Sequence, residues 1–413
     1  MWKKPWGYKE GFAICAGLFV TGTLLQITIG KTNLDLLAFP VNIMILFLFL
    51  SALVVMGFSS AKIYLFRWMS SYHAAVSSMA AVVIMIVFMG LIRQLQPQVH
   101  IPGIKGWLGF SQMLSAWSFS LVLCWFLVVL GMTILRRARG FRLRDIPFLL
   151  NHSGLFIALV AGILGSADLQ RLELTARKGK AEWRAFTRDR EMIELPLAIE
   201  LHDFTIDEYP PKLILIDHET SKALPEGKPV NLLVEDDLVQ GQLADWKIDI
   251  IQRIPQAAGM VTADTIRFVE FHSMGATYAL YLKAENIHTG EQAEGWVSCG
   301  SFMFPYKAIR LNQDISLIMP DREPRRYASD ITIFTRSGRS EDATIEVNNP
   351  FKMDGWKIYQ VSYDEHKGRW SDISVFELVK DPWQPAVYAG VWMMIAGAVC
   401  LFSLAPKRKE DGL

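Results

Sequence analysis

The sequence predicts a polytopic α-helical membrane protein of six spans with a large all-β domain, sandwich-like or barrel-like, inserted before the last span. Three observations lead there. Six apolar stretches, about 11–29, 40–58, 74–92, 115–134, 147–165 and 386–403, each reach the ~20 residues needed to cross hydrocarbon. The stretch 167–385 changes to short β-rich runs separated by turn formers. Composition agrees with a mixed molecule, since hydrophobic residues make up 51% while charged residues still reach 20%.

The first apolar run reads as a retained span, too long for a signal peptide and without a small-residue cleavage site ahead of polar sequence. Loop charge then orients the chain. With the N-terminus inside, the inner segments carry Lys3, Lys4, Lys9, Lys62, Arg67, Arg136, Arg137, Arg139, Arg142, Arg144, Lys407, Arg408 and Lys409. The two short outer loops carry only Lys31, Arg93 and Lys105. The excess of cations on one side predicts that both termini are cytoplasmic and the large domain is exoplasmic. Trp2, Trp6, Trp68, Trp107 and Trp383 flank the spans as headgroup-belt aromatics would. The expected division is a five-span membrane domain at 1–166, the β-rich domain at 167–385, and a last span with a short basic tail at 386–413.

Within 167–385 the strand signals are Lys212–Ile216, Leu280–Leu282, Ile331–Phe334, Thr344–Val347 and Trp356–Val361. Each is rich in β-branched or aromatic residues, and Asp330, Asn348-Asn349-Pro350 and Asp354-Gly355 supply breaks. No stretch of comparable helical periodicity competes with them.

A net charge of +1 leaves no basic excess for phosphate backbones, so nucleic acid is not an expected partner. Cys15, Cys124 and Cys400 lie in apolar runs, which leaves Cys299 alone in the β-rich part and no internal disulfide there. Cys299 reads either as a packed thiol or as one that meets a redox partner. His202, His218, His272, His288 and His366 show no metal-ligand spacing, and no catalytic triad, phosphate loop or carboxylate pair emerges. No Cys-x-x-Cys-His occurs, so the chain does not itself carry covalent c-type haem.

Ionisable residues in spans are the places to look for function, because hydrocarbon makes them costly. His152 follows Pro147 by five residues, about 7.5 Å along a helix. It reads either as a haem axial ligand, with its second ring nitrogen held by an acceptor, or as an interfacial imidazole capped by a carbonyl or by Asn151. His73 opens the third span on the same side and is a weaker candidate for the same role; anchoring at the interface is its alternative. Asp168 reads as a solvated span terminus, and the Arg136–Arg144 cluster as an orientation signal or a contact for haem propionates or anionic lipid.

Four stretches resemble the ResB (CcsB) family of system II cytochrome c biogenesis. The most specific is Val347-Asn348-Asn349-Pro350-Phe351 followed by Gly355-Trp356-Lys357-Ile358-Tyr359-Gln360-Val361-Ser362-Tyr363. The others are Leu195-Pro196-Leu197 with Asp203-Phe204 and Tyr209-Pro210, then Asp381-Pro382 with Gln384-Pro385, and His152-Ser153-Gly154-Leu155-Phe156 with Gly162 and Gly165. The resemblance covers roughly residues 112–405 and departs at the front, where two extra spans precede it. It implies a subunit of a cytochrome c haem lyase, non-catalytic or co-catalytic, in the bacterial inner membrane. On that reading His152 ligates transiently held haem b, the outer domain presents apocytochrome c, and a separate CcsA-like membrane protein joins the thiols to haem. The tryptophan-rich segment of that partner, Trp-Gly-x-x-Trp-x-Trp-Asp, is absent from this chain. Two other readings stand beside it: a bis-His membrane b-type cytochrome using His73 and His152 in quinol electron transfer, and a haem-free scaffold of a respiratory complex.

Overall fold

The computed structural model describes residues 2–95, 99, 103, 106, 108–262 and 265–403. Lys105, Trp107, Lys407, Arg408 and Lys409, named above, lie outside the described residues. The chain forms two compact units, one of residues 1–170 with 380–413 and one of residues 171–379.

The first unit is helical. Its helices are α1 (Tyr8–Ile29), α2 (Val41–Ser59), a short α3 (Tyr64–Met69), α4 (Tyr72–Leu91), α5 (Trp117–Arg139), α6 (Ile146–Leu164) and α7 (Gln384–Ser403). All but α3 are long and apolar enough to cross a membrane, so the six expected spans are present among the described residues. Local chemistry sets the starts. Ser71 caps α4 by accepting the Ala74 N–H, Glu10 accepts the Gly7 N–H at 2.9 Å ahead of α1, and Pro147 sits in the first turn of α6, where its missing N–H costs nothing.

Glycines let α6 and α7 approach closely. A methyl group on Gly154 would lie 2.5 Å from the Gly390 carbonyl oxygen, and one on Gly397 would lie 2.7 Å from Asn151 Nδ2. In hydrocarbon, such backbone-to-backbone packing is a main source of helix association. Three of the clustered arginines bind neighbouring segments: Arg136 donates to Ser70 O at 2.8 Å, Arg137 pairs with Asp145 at 2.7 Å, and Arg139 donates to Ser60 Oγ at 3.3 Å.

Asp168 departs from its reading as a solvated terminus. It accepts hydrogen bonds from the Phe39 N–H (2.8 Å), Asn42 Nδ2 (2.7 Å) and Trp383 Nε1 (2.7 Å). One carboxylate therefore ties together the segments that enter α2, leave α6 and enter α7. Burial pushes its pKa up, but the three hydrogen bonds outweigh that and hold the carboxyl below its usual range.

The second unit is all-β. An eight-stranded sheet runs in the order β14 (Ser340–Glu346), β13 (Pro324–Thr335), β3 (Met192–Glu208), β2 (Ala181–Phe186), β1 (Gln170–Arg177), β17 (Ile373–Lys380), β16 (Trp356–Tyr363), β15 (Phe351–Met353). Every one of these strands sends side chains into one core, including Leu174, Ala185, Ile199, Ile333, Ile345, Met353, Ile358 and Phe376. The sheet is thus nearly a barrel, with its interior filled by alternate residues.

A second lobe joins two smaller sheets. One contains β10 (Gln292–Ser298), β9 (Thr277–Asn286), β7 (Trp246–Thr262) and β6 (Gln240–Leu243), with β8 (Thr265–Glu270) pairing β7. The other runs β11 (Ile309–Arg310), β12 (Ile315–Ile318), β4 (Lys212–Asp217), β5 (Asn231–Leu233). Their shared core is built around Trp246, Leu213, Leu280, Leu282, Val297 and Leu317. All five strand signals of the sequence fall within observed strands, extending one residue past β14 at Val347.

The most specific motif has a structural account. Asp354 (φ 47°) and Gly355 (φ 83°) form a two-residue hairpin turn that pairs Met353 with Trp356, a geometry in which both central residues need positive φ. Gln360 is buried, accepts from Ser329 Oγ and donates to Ser362 O at 2.8 Å, while Ser329 Oγ also meets Ser374 Oγ at 2.8 Å. This network sits where the register of β16 against β17 shifts between Gln360 and Ser362. Tyr363 then stacks on Phe204 at 5.0 Å. The motif fixes a bulge and the strand that follows it.

Candidate functional site

Phe148, His152 and Phe156 are four residues apart and share one face of α6. Phe156 stacks on Phe49 of α2 with centroids 6.1 Å apart, and the Arg137 guanidinium of α5 lies 5.4 Å from the Phe148 ring. His152 therefore occupies the face of α6 that looks toward α2 and α5, away from the glycine contact with α7. Its imidazole stacks on Phe148 at 3.8 Å, and Nδ1 lies 2.9 Å from the Phe148 carbonyl oxygen. With Nδ1 donating to that carbonyl, Nε2 carries the lone pair. This tautomer, with the far nitrogen anchored, is the one a metal-binding histidine adopts. His152 is half-buried.

His73 stands in the first turn of α4, with its ring 4.7 Å from Tyr8 of α1 and 3.9 Å from Tyr72. It is packed at the α1–α4 contact, where Ser77 Oγ donates to its backbone carbonyl at 2.8 Å. No hydrogen bond or ring contact joins His73 to His152 among the described residues. The two histidines belong to different helix interfaces.

The β unit contains a cleft of about 530 Å³ between its two lobes. Its floor is Glu208, at the end of β3, whose carboxylate meets Arg322 at 3.0 Å and Arg369 at 3.4 Å. Arg322 also donates from Nε to Tyr209 O (3.0 Å), and Arg369 donates to Ala276 O (3.1 Å) ahead of β9. Arg369 thereby ties a loop of the first lobe to both lobes. Above the floor stand Phe302, Phe304 and Tyr306 from one loop and His366 and Trp370 from another, with Phe302 and His366 rings 6.0 Å apart. Cys299 lines the wall half-buried, its Sγ 3.4 Å from Thr277 Oγ1. Burial pushes the Tyr278 phenol up, against the lowering effect of Arg253 and Arg322, so it remains protonated.

The remaining histidines of this unit each have a local partner: His202 with Thr332, His218 with Ser316, His272 with Gln256, and His288 with Asp245. No cluster of three metal-binding side chains occurs among the described residues.

Residues 292–372 match the ResB-like family. The ResB-like stretch runs from β10 through β16 to the loop carrying His366 and Arg369, and it supplies most of the cleft lining. Comparison with curated proteins gives no match. Sequence reading missed the Glu208–Arg322–Arg369 floor, whose members are up to 161 residues apart. No spacing rule links such residues; their only advance signal is the position of Arg322 and Arg369 near the turns of the matched stretch.

Proposed function

We propose that this chain is the ResB-like subunit of a system II cytochrome c synthetase. The observation that carries the reading is the ResB-like match within the β unit of a chain that also has six helices able to cross a membrane. Loop charge supports a chain with both termini cytoplasmic and the β unit on the exoplasmic side of a bacterial inner membrane. The subunit works with a CcsA-like membrane protein that carries the tryptophan-rich segment this chain lacks.

Haem is the cargo in this reading, not a resident cofactor. His152 fits such a cargo, since Phe148 anchors Nδ1 and leaves the Nε2 lone pair on the face of α6 that looks toward α2 and α5. Arg137, over the Phe148 ring, supplies a neighbouring cation, though Asp145 already partners it. The haem contributes the vinyl groups to which the cysteines of an apocytochrome Cys-x-x-Cys-His add at the partner subunit. The β unit presents that polypeptide and holds no catalytic group for the addition.

Deleting the gene in its host tests the assignment. Haem-stained membranes should lose mature c-type cytochromes while b-type cytochromes remain, and the full-length chain should restore them. Unchanged c-type cytochromes in the deletion strain would overturn the reading.

A further inference from the structure

The inter-lobe cleft has a charge pattern that the proposed haem role does not use. Two guanidiniums share the single carboxylate of Glu208, which leaves the half-buried floor with one net positive charge. The side chains are 17–25% exposed, so this charge acts at lower effective dielectric than the surface. Of the five N–H donors on each guanidinium, Arg322 uses three and Arg369 two, so donors on both remain. The other charged groups of the lining do not cancel the floor. Lys367 is paired with Asp372 at 2.6 Å, and Asp321, Glu365 and His366 stand exposed at the rim, where solvent and salt screen them.

The walls have a different character. Phe302, Phe304, Tyr306 and Trp370 present flat apolar surface, and Trp370 Nε1 is buried without an acceptor. The cleft thus combines aromatic walls with convergent polar groups between two lobes, a setting in which small ligands bind. A cation would meet the arginines, and a wholly apolar ligand would leave their remaining donors unpaired.

We propose that this cleft binds an aromatic carboxylate, with the anionic head on the Arg322–Glu208–Arg369 floor and the ring against Phe302, Phe304 and Tyr306. The carboxylate can come from a free aromatic acid or from the C-terminal aromatic residue of a polypeptide. The site stands on the geometry of the β unit alone and does not depend on haem handling.

The test uses the full-length chain in lipid nanodiscs, with N-acetyl-L-phenylalanine as the probe and its amide as the neutral control, followed by ligand-observed NMR. Saturable binding of the acid, with the amide at least tenfold weaker, is the expected result. Arg369→Gln should weaken the acid about tenfold and leave the amide unchanged. Phe302→Ala, which removes only wall, should weaken both severalfold and covers the case in which Arg369→Gln fails to fold. N-acetyl-Ala-Ala-Phe separates the sources: tenfold tighter binding than the small acid assigns a polypeptide terminus, and equal binding assigns a free acid. No saturable binding, equal affinity for acid and amide, or an acid affinity unaffected by either substitution would overturn the proposal.

Discussion

The two units of this chain differ in what they leave exposed and in which polar groups they hide. In α2 of the helical unit, Phe47, Leu48 and Phe58 are 71%, 64% and 75% exposed, while Asn42 of the same helix is fully buried. Ser77, Ser78 and Ser118 are also buried there. In the β unit the large apolar residues Leu213, Leu280, Ile333 and Phe376 are completely hidden. Exposed apolar surface of the first kind would be untenable in water, and it is what a lipid bilayer solvates. Apolar burial therefore holds the β unit together, whereas close backbone approach and internal hydrogen bonds hold the helical unit.

Substitutions should separate the two modes. The largest loss is expected from Phe376→Ala, because its ring is fully enclosed in the eight-stranded core: about 3–5 kcal/mol from lost transfer energy and the cavity left behind. A lower midpoint for the β unit in denaturant unfolding would show it; a midpoint within error of wild type would mean that the core repacks.

Gly154→Leu comes next. The first side-chain carbon alone would meet the Gly390 carbonyl oxygen at 2.5 Å, a backbone atom that cannot swing away. A destabilisation of about 1–3 kcal/mol is expected from overpacking, read as a lower thermal midpoint of the purified protein. Gly162→Leu is the matched control, since nothing lies within 4 Å of a carbon added there. If both variants behave alike, the glycine contact between α6 and α7 is not what holds those helices.

Asp168 gives the smallest effect and a sign. Its folded pKa is lowered, so its stabilising contribution is complete above the ordinary aspartate value of about 4 and fades as pH falls through the lowered folded value. Asp168→Asn should therefore lower the thermal midpoint at neutral pH, and the gap to wild type should narrow as the pH falls below the ordinary aspartate range. A gap that widens in acid would show that the carboxylate is not held by Phe39, Asn42 and Trp383.

These contrasts also explain what the sequence revealed. Span lengths were legible because hydrocarbon thickness sets them directly, and part of the β core was legible where a strand alternates, as at Ile331 and Ile333 of β13. The partners of Asp168 were not legible because its three donors come from residues 39, 42 and 383, all more than a hundred residues away in sequence. His152 could be singled out by its depth in a span, but its anchor on the Phe148 carbonyl depends on a ring orientation that spacing alone leaves open. The arginine floor was hidden for the same reason as Asp168, since Glu208, Arg322 and Arg369 meet only once β3, β13 and the β16–β17 connection have come together in the eight-stranded sheet.

The most direct test of the account is an optical spectrum of the chain co-purified with the proposed CcsA-like partner, comparing wild type with His152→Ala. The account predicts a haem Soret band in the wild type, its loss in the variant, and its recovery when imidazole is added. An unchanged band in His152→Ala would contradict it and place any haem on the partner.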